Sequence, residues 1–125
     1  MKPIRIIDEM YNAEIYLIVN IKHDELVKFF LKKYKHQFPY DPDFDGMHYL
    51  LSNPKTGMKY HFIIIYSYEK DSDDSFRILD HEVTHLMFSV LDIAGIKYDA
   101  EHSEEAYTYY HAHILTKCFK VLHKV

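Results

Sequence analysis

The 125-residue chain has no tryptophan, one cysteine, three glycines and four prolines. With only Cys118 present, no internal disulfide can staple the fold, and a reducing compartment is its natural setting. So few glycines and prolines exclude collagen-like and low-complexity character. No apolar run approaches the ~18 residues of a membrane span. The opening MKPIRIIDEM interrupts its apolar stretch with charge, so no leader or membrane segment is expected. Charge of one sign is also scarce. The formal net charge is −4 and the pI ≈ 6.2, whereas a nucleic-acid surface needs clustered Lys and Arg. The nearest basic run, Lys32-Lys33-Tyr34-Lys35-His36, reads as the solvated end of a helix, where cations suit the dipole. These absences predict a soluble, cytoplasmic protein with neither a nucleic-acid nor a membrane partner.

What is present is enough apolar material for a core. The chain is 48% hydrophobic and carries 12 Tyr and 8 Phe, and its length suits one domain over residues 1–125. Tyrosine at that density fits a core with wet edges, or the lining of a peptide groove. Residues Ile4 to Ile21 are rich in Ile, Val and Tyr about a turn at Tyr11-Asn12-Ala13, which predicts a hairpin. In HDELVKFFLKKYKH, Leu26, Phe29, Phe30 and Tyr34 recur at helical spacing behind Asp24 as a cap. QFPYDPDFDG is a loop by its turn chemistry. MHYLLS and MKYHFIIIYSY flank Asn53-Pro54-Lys55-Thr56-Gly57 as a second hairpin, with a strand over Lys59 to Tyr68. DSDDS then caps a helix from Phe76 to Ala94 that Gly95 ends, and a last helix runs from about Ser103 to His123. The order ββ-α-ββ-α-α predicts an α+β domain.

Asp80-His81-Glu82-Val83-Thr84-His85 places HExxH inside the penultimate helix. Residues four apart share a face about one turn apart, so both imidazoles can address one metal ion. Glu82 lies about 100° around the helix from His81, within reach of a water on that ion without being a ligand. A site of this kind needs a third protein ligand and leaves the fourth position to water. The carboxylates of Glu104 and Glu105, opening the last helix, are the candidates.

HEVTH followed by GIKYDAEHSEEAYTYY resembles the gluzincin metallopeptidases, the thermolysin-like branch of the zincins. It also resembles small phage-encoded metallopeptidase-like proteins that carry HExxH. The resemblance covers roughly Lys59 to Tyr110 and implies a minimal zincin fold, with HExxH on the penultimate helix and the third ligand on the last. It implies Zn²⁺ held by His81, His85 and Glu105, since Glu105-Ala106-Tyr107-Thr108 stands 20 positions beyond His85, where that branch places its ligand glutamate. For a phage-encoded chain the location would be the host cytoplasm. Where the branch has an Asp four residues after the ligand, this chain has Tyr109, whose phenol accepts an N–H bond but carries no charge.

Two functions follow as expectations. The first is a peptidase acting on a peptide or protein substrate, with Glu82 as general base and Tyr109 as an oxyanion donor. The second is a zincin-fold binding protein, catalytically weak or inactive, whose zinc is structural and which acts by protein–protein interaction. Other histidines are expected elsewhere: His102 in a solvated loop, His48 and His61 at satisfied surface positions on strands, and His111 and His113 on different faces of one helix. Cys118 is expected to fill core space. The strand Lys59 to Tyr68 is either an edge offered to a substrate by β-addition or, being apolar on both faces, a central strand.

Overall fold

The computed structural model describes residues 2–124. Its elements follow the expected order: β1 (Ile4–Ile7), β2 (Glu14–Val19), α1 (His23–Tyr34), β3 (Gly46–Ser52), β4 (Lys59–Ile65), α2 (Asp73–Ile93) and α3 (Glu104–Leu122). The strands form one mixed sheet in the order β1-β2-β4-β3. Two antiparallel hairpins, β1–β2 and β3–β4, are joined by parallel pairing of β2 with β4, Leu17 opposite Ile63.

Period-2 alternation assigns the two faces. Ile15, Leu17, Ile63 and Ile65 point to one side, where Leu79, Val83, Leu86 and Val90 of α2 and Tyr110, Ile114 and Cys118 of α3 complete a core. Ile18, Phe62 and Ile64 point to the other, where α1 brings Leu26 and Phe30 and the following loop brings Phe38. Phe30 is the pivot there, with its ring 4.9 Å from Phe62 and stacked at 5.2 Å on Phe38. Each such side chain contributes about 1.5–3 kcal/mol by leaving water.

β4 is therefore a central strand with both edges paired, because Phe62 to Ile65 has an apolar core to face on either side. It ends at Ile65 rather than Tyr68. The free edge beside α2 belongs to β3. Asp24 is not the cap of α1: the helix starts at His23, Lys22 holds the cap position without a side-chain bond, and Asp24 sits in the first turn. Ser72 does cap α2, accepting the Ser75 N–H at 3.2 Å. Ser103 holds the cap position of α3, but its hydroxyl serves the preceding loop, donating to Lys97 O and accepting from Asp99 N. Gly95, at φ +81°, ends α2 as expected. No helix among the described residues is long and apolar enough to cross a membrane.

A buried carboxylate ties the first hairpin to the last helix. Asp8 accepts the backbone N–H groups of Met10, Tyr11 and Ala13 and the hydroxyl of Tyr110 at 2.9 Å. Four donors on one carboxylate offset the cost of burying it.

Candidate metal centre

α2 buries Leu79, Val83, Leu86 and Val90, which leaves His81 and His85 on its exposed face, one turn apart. Their Nε2 atoms converge to 3.2 Å. Two Zn–N bonds of ~2.05 Å spanning that gap would enclose an angle of about 100°, close to the tetrahedral value. Together with a Glu82 carboxylate oxygen, these atoms all lie within 4.8 Å of one another. The two imidazoles are donors of the kind a small tetrahedral cation takes, and they supply two of the three protein ligands that such a site needs.

Glu82 is the buried member of the group. It points toward the β3 side of α2, where the nearby backbone N–H of His48 favours its charged form. Burial raises its pKa above the ordinary carboxylate range, while the two imidazoles and the His48 N–H pull the other way. Such close approach depends on Gly46. A Cβ there would meet Ile78 Cγ2 at 2.6 Å and Glu82 Cγ at 3.2 Å. A shallow groove of about 320 Å³ runs along this junction, lined by Asp45, Gly46, Arg77, Ile78, His81 and Glu82.

The opposite flank of α2 faces α3. Phe76 meets Phe119, Phe88 meets Tyr107, and Asp80 pairs with His111 at 2.8 Å. His81 and His85 lie ~100–140° around the helix from Asp80, on the solvent side. Glu105, exposed in the first turn of α3, is outside the group that the structure gathers around the histidines, and so is Glu104. Tyr109 is 66% exposed and lines a different groove with Met10 and His113.

Two histidines depart from the surface positions expected for them. His48 and His61 point into the layer beneath α2, His61 only 3% exposed, and share a bond of 3.0 Å between His48 Nε2 and His61 Nδ1. Burial pushes both down, His48 to about 3 and His61 to about 4, so both are neutral at physiological pH. The signal was in the alternation, since His61 shares the parity of Ile63 and Ile65, which face α2. His102 is solvated beside Asp99, and Cys118 is fully buried, both as expected.

No protein-family model matches the chain, and neither a curated protein nor a solved structure matches it.

Proposed function

We propose that the chain is a small zinc-dependent peptidase in which His81 and His85 hold the ion and Glu82 is the general base. The observation that carries this reading is the convergence of the two Nε2 atoms to 3.2 Å beside a buried carboxylate. A zinc ion between the imidazoles would supply Lewis-acid polarisation of a scissile carbonyl and of a water molecule. Glu82 would be the group that takes a proton from such a water and passes it to the leaving nitrogen. Glu82 is buried at the α2–β3 junction, next to both imidazoles, which places its carboxylate beside the position such a water would take. The α2–β3 groove is open to solvent on one side, as an extended substrate requires.

Glu105 is the third ligand that the resemblance assigns, but it stands outside the group gathered around the histidines, and a third donor would have to be brought to the pair. A binding protein that is catalytically weak or inactive is the second reading. The observation favouring it is that, among the described residues, the three protein ligands of a catalytic zinc are not gathered around the pair. Glu82→Gln separates the two. The amide keeps the shape of the side chain but cannot take the proton, so a peptidase loses ~10²–10⁴-fold in turnover on a quenched-fluorescence peptide mixture while keeping its zinc. Unchanged turnover would remove Glu82 from catalysis. A biological effect that survives the substitution would favour the binding protein.

A further inference from the structure

On the face of the sheet opposite the histidine pair, the end of α1 and the β3–β4 turn enclose a groove of about 610 Å³. Its walls carry Lys33 and Lys35 from one side and Lys55 from the other, and no carboxylate lines it. Tyr34 and Tyr60 form its aromatic wall, their ring centroids 5.3 Å apart. In a chain of net charge −4, three lysines around one concavity are a local reversal of sign. None of the three has an ion-pair partner among the described residues. The Lys33 ammonium instead lies 5.7 Å from the Tyr34 ring centroid and 5.9 Å from those of Tyr16 and Phe29. Glu14, beyond Tyr16, is already held by Arg5 at 3.2 Å. Lys55 stands on an ordered turn, its N–H bonded to the Asn53 side chain at 2.9 Å. The basic run that reads from sequence as a solvated helix end is thus one wall of a groove whose other wall comes from 20 residues downstream, at Lys55.

We propose that this groove binds nucleotide units, phosphates on Lys33, Lys35 and Lys55 and a base against Tyr34 and Tyr60. Cations tracking a phosphate backbone beside aromatic faces that take bases are the shared chemistry of single-strand binding, and a volume of this size suits a small ligand. A free nucleotide and a single strand offer the same groups, so the source is settled by comparison.

The test is fluorescence anisotropy of the full chain with a labelled 12-nucleotide single strand, a labelled mononucleotide, an abasic strand of equal length and a labelled poly-glutamate. Three neutralised phosphates predict a log K against log salt slope of about −2 for the single strand. Lys33→Gln, Lys35→Gln and Lys55→Gln should each weaken binding at least threefold and flatten the slope by ~0.7, whereas Lys70→Gln on a distant turn should do neither. The abasic strand should bind at least fivefold more weakly. Binding of the strand alone would make it the ligand, and binding of both would make one nucleotide sufficient. Equal binding of poly-glutamate or the abasic strand, equal loss with Lys70→Gln, or no binding at ~20 mM salt would overturn the proposal.

Discussion

Gly46→Ala probes the contact on which the placement of Glu82 depends. Gly46 is not at positive φ, so an alanine is permitted by the backbone and would by itself gain about 0.4–1 kcal/mol through the unfolded chain. The space is what forbids it. The new methyl would lie 2.6 Å from Ile78 Cγ2, where carbon atoms prefer 3.5–4.0 Å. Either β3 withdraws from α2 by about 1 Å or Ile78 leaves its rotamer, and overpacking of this kind costs about 1–3 kcal/mol. Withdrawal also moves the His48 N–H away from Glu82. The net expectation is a loss of about 1–2 kcal/mol, read by urea unfolding, and a Tm lowered by about 3–8 °C. Ile78→Ala in the same background should relieve the clash, so the double variant should be more stable than the sum of the single losses by at least ~1 kcal/mol. A neutral or stabilising Gly46→Ala, or strict additivity with Ile78→Ala, would mean that α2 and β3 do not approach as described.

Three further outcomes are expected. Tyr110→Phe deletes a buried donor to Asp8 and should cost about 1–3 kcal/mol in chemical denaturation, while Asp8→Ala, which strands three backbone N–H groups as well, should cost more than Tyr110→Phe. His48 and His61 have folded pKa values near 3 and 4, below the unfolded ~6.5, so the unfolded state binds more protons in between. The stability they permit is complete above pH ~7 and falls as pH drops through 6.5, by on the order of 2 kcal/mol for each at pH 5; a metal-free urea titration showing no loss between pH 7 and 5 would contradict their burial. Burial pushes the Cys118 thiol up to about 12, so iodoacetamide at pH 8 should label it only upon unfolding, and rapid labelling of the native chain would place it at the surface.

The element order was legible because hydrophobic period and turn chemistry agree in each segment. Asn53 to Gly57 marked a turn that the structure keeps, whereas α2 begins at Asp73, inside the DSDDS stretch, rather than at Phe76. The apolar faces of Phe62 to Ile65 left edge and centre open until the pairing on both sides decided it. The parallel pairing of β2 with β4 was not legible, since it depends on contacts across more than 40 residues that no local pattern encodes. Asp24 misled because a good capping residue one position inside a helix looks the same in sequence as one at its boundary. Within the site, the i, i+4 spacing alone set the two imidazoles side by side, and helix phase buried Glu82 between them and β3. The part played by Gly46 and the His48 N–H escaped notice because both act through backbone, which side-chain chemistry does not reveal. The inward turn of His48 and His61 escaped because polar residues on strands face solvent by default, a rule their parity here overrides.

The central claim is that His81 and His85 hold a metal ion. Its most direct measurement is zinc content by elemental analysis of the purified chain beside His81→Ala, each dialysed against metal-free buffer and titrated back with Zn²⁺. Because α2 exposes His81 at its surface, the alanine variant should fold with its Tm within a few degrees of the parent. About one tightly held zinc per parent chain, and none in His81→Ala, is the expected result; a parent that takes up no zinc, or a variant that keeps it undiminished, would contradict the account.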